Sequence, residues 1–133
     1  MRPVLGTLAL LAIALAGCGQ SGDRDTVRAT TTRFLAAYSG HQGDAACAAL
    51  SQDTRTELEG QEKKPCADAI ADLELKPGAV DHVDVMLTNA KVDLAGGESV
   101  YLSEEADGWK ISAVGCKPQG EPTNTPFDCE LQA

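Results

Sequence analysis

The spacing of apolar residues changes once along this chain, and that change predicts its fold class. Up to Leu73, apolar side chains recur every three or four positions, which is the period of an amphipathic helix. After Pro77-Gly78 they alternate with polar side chains, as in a strand with one buried face. Helices followed by strands with short turns are typical of an α+β domain. We therefore expect N-terminal helices packed on a curved antiparallel sheet.

Four helices are predicted in the first half of the chain. The first begins at Thr26, where the helical spacing starts, and ends at Ser39-Gly40. The second has Asp44 as its N-cap and the third has Ser51, because both side chains accept hydrogen bonds from the first free amides of a helix. The fourth carries Pro65 in its first turn, where a missing amide hydrogen costs nothing.

The second half predicts four strands joined by hairpin turns. Val83, Val85 and Leu87 are expected on the buried face of the first strand. Gly96-Gly97 and Asp107-Gly108 are typical of the tight turns between antiparallel strands. The inward positions of the later strands are predicted to be Ala90, Val92, Leu94, Val100, Leu102, Trp109, Ile111 and Ala113.

A short apolar segment precedes the helices and ends in a cysteine. Residues 5–16 are apolar, Arg2 stands ahead of them, and small residues lead into the cysteine of Leu15-Ala16-Gly17-Cys18. The segment has the length of a signal peptide and is shorter than the roughly 20 residues that span a bilayer. The motif resembles the lipobox of bacterial lipoproteins. The alternative is an ordinary secretory signal with a chance cysteine at its end.

The lipobox resemblance implies a division of the chain and a location. Residues 1–17 would be the signal peptide, and Cys18 would carry a diacylglyceryl group and become the acylated amino terminus. Residues 18–25, which are polar and contain glycine, would be the lipidated terminus and tether, followed by a single domain over residues 26–133. Two or three acyl chains anchor a protein stably. We therefore expect a protein attached to the extracytoplasmic face of the cell membrane.

The cysteines predict two disulfides. Besides Cys18 there are four, an even number in a chain expected to be exported: Cys47, Cys66, Cys116 and Cys129. Count alone allows three pairings. We favour Cys47 with Cys66 and Cys116 with Cys129, because each pair closes a short loop within its own half of the chain. A zinc site is the alternative, but there is no Cys-x-x-Cys pair, and His41 and His82 lie away from the cysteines in sequence.

The charge of the chain excludes some partners. The formal net charge is −9 at pH 7. An acidic surface repels the phosphates of nucleic acids and the head groups of anionic lipids. Attachment to a membrane must therefore come from the lipid on Cys18, and no nucleic-acid partner is expected.

Several segments together resemble a known family. They are Phe34-Leu35-Ala36-Ala37-Tyr38, Gly43-Asp44-Ala45-Ala46-Cys47-Ala48-Ala49-Leu50-Ser51, Cys66-Ala67-Asp68-Ala69, Asp107-Gly108-Trp109-Lys110-Ile111, Gly115-Cys116 and Phe127-Asp128-Cys129-Glu130. This pattern is similar to small secreted lipoproteins of high-GC Gram-positive bacteria with a nuclear-transport-factor-2-like (NTF2-like) fold. The superfamily includes ketosteroid isomerase and the SnoaL-type polyketide cyclases, and many members have no known activity. The resemblance implies a sheet that curls into a cone around a pocket.

An isomerase-like site in such a cone would need a base and a neutral hydrogen-bond donor. Tyr38 is the candidate donor, and Asp81, His82 or Asp84 is the candidate base. Each has a structural interpretation that we favour. Tyr38 continues the apolar stripe of its helix, which is typical of a core tyrosine. The two aspartates alternate with inward apolar residues, and His82 stands at a strand start, so all three are expected in solvent.

Other chemistry-bearing residues also have structural interpretations. Met86 is expected to fill a gap in the packing rather than bind a ligand. The acidic cluster Glu104, Glu105 and Asp107 is expected to be a solvated turn rather than a cation site. Trp109 is expected to be the largest core residue, and its alternative role is to stack on a ligand in the cone.

The chain lacks the Ser-x-x-Lys, Gly-x-Ser-x-Gly, His-Glu-x-x-His and phosphate-loop patterns. The sequence therefore assigns no catalytic residue, no cofactor and no metal, and it does not locate a ligand site. The leading hypothesis is a membrane-anchored, non-enzymatic protein that binds a small apolar ligand or an envelope protein. The alternatives are an isomerase- or cyclase-type enzyme working in the cone pocket, and an interaction module, including a homodimer, that uses the exposed sheet face.

Overall fold

The computed structural model describes residues 20–117 and 128–133 and has an α+β architecture. The helices are α1 (Gln20–Ser39), α2 (Gly43–Ala49), α3 (Gln52–Glu62) and α4 (Cys66–Ala69), and a 3-10 turn follows at Ile70–Asp72. The strands are β1 (Val80–Met86), β2 (Asn89–Leu94), β3 (Ser99–Glu105), β4 (Gly108–Cys116) and β5 (Leu131–Gln132). They form one antiparallel sheet in the order β1-β2-β3-β4-β5. The predicted class, helices followed by an antiparallel sheet, is confirmed.

Helix α1 starts earlier than the sequence predicts. It begins at Gln20 and not at Thr26, so residues 20–25, interpreted from sequence as tether, form its first turns. Asp23 lies in the first turn, where a carboxylate offsets the positive end of the helix dipole. The same carboxylate accepts a hydrogen bond from Trp109 Nε1 at 3.4 Å, which ties the helix start to β4. Such a long-range contact is invisible in hydrophobic spacing.

The helix caps agree with the sequence at one position and differ at two. Ser51 caps α3, and its hydroxyl accepts from the Thr54 amide at 3.1 Å. The Asp44 prediction is wrong, because α2 begins at Gly43 and places the aspartate inside its first turn. Pro65 lies just before α4 as its N-cap and not within the first turn. At Gly43 a side chain would meet backbone, since a Cβ there would stand 2.1 Å from the Ala67 oxygen.

The predicted hairpin turns are present, and two predicted inward positions, Leu87 and Ala113, are wrong. Ala113 lies on the opposite face of the sheet, because the register between β3 and β4 shifts between Tyr101 and Leu102. Gly97 and Gly108 have φ angles of 90° and 113°, which L-residues with side chains rarely adopt, so these turns favour glycine. Val83 is buried as predicted. Leu87 is not part of the buried face, because it lies in the two-residue turn between β1 and β2, with a φ of 55° and 91 % of its surface exposed.

The sheet extends beyond Ala113, the last strand position that the sequence predicts. Strand β4 continues to Cys116, and the chain returns to pair Val114 with Leu131 of β5. Both residues of that pair are buried, with 1 % and 0 % of their surfaces exposed. Burial of apolar surface therefore holds the returning segment on the sheet.

Both predicted disulfides are confirmed. Cys47 of α2 is joined to Cys66 at the start of α4, and Cys116 of β4 is joined to Cys129. The first fixes two short helices that bury little apolar area on their own, and the second holds the C-terminal segment against the end of β4. Because all four sulfurs are bonded to one another in pairs, these cysteines are not zinc ligands.

The helices cover one face of the sheet, and side chains fill the layer between them. The largest fully buried side chains are Phe34, Leu58, Leu102, Ile111, Leu131, Val27, Val92, Val100 and Val114. They come from α1, α3 and strands β2 to β5, so helices and sheet contribute to one core. The cone implied by the family resemblance stays a prediction.

Candidate functional site

The sheet face opposite the helices, here called the outer face, carries a row of side chains from all five strands. The register pairs Asp84 with Lys91, Lys91 with Tyr101, Tyr101 with Ala113, and Ala113 with Gln132. Residues directly opposite in antiparallel strands point to the same face of a sheet. Because Val83 and Val92, the chain neighbours of the first pair, are buried on the helix side, the row lies on the outer face.

A trough of about 450 Å³ lies along the part of this row that β3, β4 and the C-terminal segment form. We call it the outer-face trough. Its lining residues are Asn89, Ala90, Tyr101, Leu102, Ser112, Ala113, Cys129, Gln132 and Ala133. Small-molecule sites typically have volumes of about 300–1,000 Å³ and apolar walls with a few polar groups. The trough has that size and that mixture of side chains.

The C-terminal segment forms one wall of the trough. Gln132 pairs with Ala113, and the Ala133 amide donates to the Ser112 oxygen at 3.3 Å. The disulfide to Cys116 places Cys129 at the same wall. The trough therefore exists because residues far apart in sequence are brought together by β5 and the second disulfide.

Next to the trough, the outer face carries a ladder of polar side chains on β1 to β3. Lys91 Nζ lies 2.9 Å from Asp93 Oδ1, and the Ser99 hydroxyl donates to the same oxygen at 2.7 Å. On the edge strand, His82 Nε2 lies 3.0 Å from Asp84 Oδ1. The ladder gives this face fixed charges at defined positions.

These contacts change how the ladder ionises. Burial alone would raise the pKa of the Asp93 carboxyl, but the hydrogen bonds from Ser99 and Lys91 outweigh it and hold that pKa below its ordinary value. The hydrogen bond with Asp93 raises the pKa of Lys91 above its ordinary value. Burial raises the pKa of the Tyr101 hydroxyl. At neutral pH the ladder therefore holds an ion pair, and Tyr101 is a neutral phenol.

The structure does not bring the candidate catalytic residues together. The Tyr38 hydroxyl donates to the Leu73 oxygen at 2.5 Å and accepts from the Leu75 amide at 3.3 Å. It therefore holds the segment before β1 against α1, as a partly buried structural tyrosine. Asp84 lies on the outer face, so this candidate base and the Tyr38 donor are on opposite sides of the sheet.

The remaining candidates lie in solvent or in the core. Asp81 is exposed, and the side chains of His82 and Asp84 are 63 % and 51 % exposed, as expected. The Met86 prediction is wrong: 62 % of its surface is exposed, so it fills no gap. The acidic residues Glu104, Glu105 and Asp107 are exposed around a turn, in agreement with a solvated cluster. Trp109 is buried in the core, as expected.

A second cleft, of about 830 Å³, runs between α1, α2 and the turn before β4. Alanines of the two helices form much of its wall, and Arg33 and Lys110 are its cations. Both cations already have partners on the protein. Arg33 donates to the Ala29 oxygen at 3.4 Å, and Lys110 donates to the Ala48 oxygen at 3.1 Å. The outer-face trough is therefore the stronger candidate for a ligand site.

Sequence reasoning located neither cleft. Strict alternation along β3 could have placed Tyr101 on the outer face, since Val100 and Leu102 on either side of it are inward. No local signal places Gln132 opposite Ala113, because that contact depends on the return of the C-terminal segment.

Cys18, the predicted lipidation site, lies outside the described residues. Within residues 20–117 and 128–133, no helix combines the length and the apolar character that a membrane span needs. The same residues contain no cluster of three or more potential metal ligands of the His, Cys, Asp or Glu type. Comparison of the chain with models of protein families, with curated proteins and with solved structures found no match.

Proposed function

We propose that this chain is an exported lipoprotein, anchored through Cys18 to the extracytoplasmic face of the cell membrane. Its domain, of NTF2-like ancestry, binds a small and largely apolar ligand and does not transform it. The ligand lies in the outer-face trough and not in a cone between helices and sheet. The lipobox pattern supports the location, and the two disulfides fit an oxidising compartment outside the cytoplasm.

The single observation that carries the binding role is the trough itself. Among its lining residues, Ala113 and Ala133 are apolar, while Asn89 and Gln132 offer amide groups that can orient a ligand. Tyr101 adds an aromatic ring, which contributes a large contact area.

The polar groups near the trough favour binding over catalysis. General acid-base catalysis requires a titratable group within hydrogen-bond reach of the reacting atom. Asp93 is already held by Lys91 and Ser99, which keep it charged and weakly basic. Tyr38, the candidate donor from the sequence, is bonded to backbone on the helix side.

A second candidate is recognition of an envelope protein by the outer face. One observation favours it: the trough continues into the charged ladder of Lys91, Asp93, His82 and Asp84, which a small apolar ligand would leave uncovered. Cross-linking in cells separates the two candidates, because a protein partner would be captured at ladder positions and a small ligand would not.

Lipid attachment is tested with Cys18→Ser in the full chain. Cells fed an alkyne-tagged fatty acid should label the wild-type chain and recover it in the membrane fraction. The variant should lose the label, because serine has no thiol for the diacylglyceryl group. Unlabelled wild-type protein in the culture medium would refute the anchor and leave the trough untouched.

The trough is tested with one substitution made at two exposed positions. Gln132→Trp places a large side chain at the wall of the trough, and Gln52→Trp places the same side chain on exposed α3. Nile red, a neutral apolar dye, should bind the wild type and the α3 variant and become more fluorescent. The trough variant should bind the dye more weakly and show a smaller rise in fluorescence. Equal dye binding by all three proteins would refute the site. If the trough variant binds the dye more weakly, mass spectrometry of an organic extract of the native protein would identify the natural ligand.

A further inference from the structure

Strand β1 is one edge of the sheet, and no strand of the described part of the chain covers its outer side. In the described residues it pairs on one side only, with β2. Its outer-face side chains are well exposed, at 63 % for His82 and 51 % for Asp84. An edge strand presents unpaired amides and carbonyls that can template pairing with another strand.

The register shows which backbone groups point outward. Met86 and Asn89 flank a two-residue turn, and the closing pair of such a hairpin exchanges hydrogen bonds. Because hydrogen-bonded positions alternate along a strand, Val83 and Val85 direct their backbone groups away from β2. The edge is therefore free to pair at these positions.

The charges on β1 select the strand that can pair there. Most partner strands would meet the carboxylates of Asp81 and Asp84, and charged edge residues normally prevent such pairing. A second copy of β1, running antiparallel about a two-fold axis through Val83, solves this problem. It places His82 opposite Asp84 of the second copy, and the symmetry makes the same pair twice.

We propose that two copies of this chain associate through β1 and join their sheets into one continuous antiparallel sheet. Val83 lies at the two-fold axis, and the two His82–Asp84 pairs fix the register on the outer face. The proposal is independent of the ligand site, whose lining residues lie on β2 to β5 and the C-terminal segment and include none from β1.

The dimer is expected to be weak and reversible. One pair of short strands buries less than the roughly 1,200 Å² that marks a stable interface. Two chains held in the same membrane by lipid anchors would meet at a raised effective concentration, which favours weak contacts of this kind.

The test exchanges charges across the two-fold axis and follows association by sedimentation velocity over a wide concentration range. The full chain is used as its host makes it, in mild detergent where it carries lipid. His82→Asp gathers four carboxylates at the axis and should weaken the dimer about tenfold, since two histidine–aspartate pairs that can hydrogen-bond become like-charge pairs. His82→Asp combined with Asp84→His restores a histidine opposite an aspartate at both pairs and should return the affinity to near that of the wild type.

His41→Asp is the matched control, because it makes the same substitution at an exposed histidine far from β1. Its positive φ of 54° is one that aspartate tolerates, so the fold should be retained. We expect this variant to associate like the wild type. A wild-type chain that stays monomeric at every concentration would overturn the proposal. So would a dimer that His82→Asp leaves unchanged, or one that the double exchange fails to restore.

Discussion

Two buried threonines on neighbouring parts of the core should respond in opposite directions to the same substitution. Thr31 of α1 and Thr54 of α3 are both fully buried. Among the described residues, the Thr31 hydroxyl has no hydrogen-bond partner. The Thr54 hydroxyl donates to the Ser112 oxygen at 3.1 Å and lies 2.7 Å from the Ser51 hydroxyl. Valine has nearly the same shape as threonine, and both are β-branched residues of similar helix propensity.

Thr31→Val should stabilise the protein. A buried polar group without a partner costs about 1–3 kcal/mol, and a methyl group in its place removes that cost without creating a cavity. We therefore expect the free energy of unfolding to rise by about 1 kcal/mol or more. Thr54→Val should lower it by about 1–3 kcal/mol, because the Ser112 carbonyl and the Ser51 hydroxyl each lose a partner.

Urea denaturation of the disulfide-intact protein measures both effects. The denaturation midpoint should move up for Thr31→Val and down for Thr54→Val, with unchanged slopes, since neither substitution alters the surface exposed on unfolding. A Thr31→Val variant that loses stability would refute the reasoning, because it would mean that the hydroxyl is bonded in the folded protein.

Three further predictions concern the helices and the outer face. Gly43→Ala should destabilise the protein by about 1–3 kcal/mol, because the new Cβ would meet the Ala67 backbone. Gly60→Ala should stabilise it by about 0.5–1 kcal/mol, because this position of α3 is open. The urea denaturation midpoints of the two variants measure both effects. Replacing Cys47 and Cys66 together with alanine should cost about 3 kcal/mol, since their sequence separation is 19 residues, and a loss near zero would argue against the bond. The lowered pKa of Asp93 stabilises the folded protein at pH values above the ordinary carboxyl pKa of about 4. This stability is lost as the pH falls through the pKa of Asp93 in the folded protein. The urea midpoint of Asp93→Asn should therefore lie below that of the wild type at neutral pH and converge with it in acid.

Local signals in the sequence predicted the local parts of this fold. The Ser51 cap depends on a contact three residues away, and the turns at Gly97 and Gly108 depend on the φ angles of single residues. The disulfide pairing could also be predicted, because each pair closes a short loop within one half of the chain.

The predictions that were wrong depend on contacts between distant segments. Helix α1 extends back to Gln20, where the hydrogen bond between Asp23 and Trp109 joins residues 86 positions apart. Leu87 continues the alternation of β1 in sequence, yet the two-residue turn with Thr88 removes it from the strand. Periodicity describes which face a residue would take in a continuous element, and it contains no information on where tertiary contacts end that element.

Periodicity also could not predict that the candidate site lies on the outer face of the sheet and not in its interior, because the site depends on contacts between distant segments. A cone pocket requires space between helices and sheet, but Phe34, Leu102 and Ile111 occupy that layer with their full side chains. The trough instead requires a wall beyond β4, which the chain supplies by returning at Cys129 and pairing Leu131 with Val114. Since the second disulfide fixes that return, reduction of the bond should open the trough as well as free the C-terminal segment. The proposed ligand binding would therefore depend on a compartment oxidising enough to keep this disulfide closed.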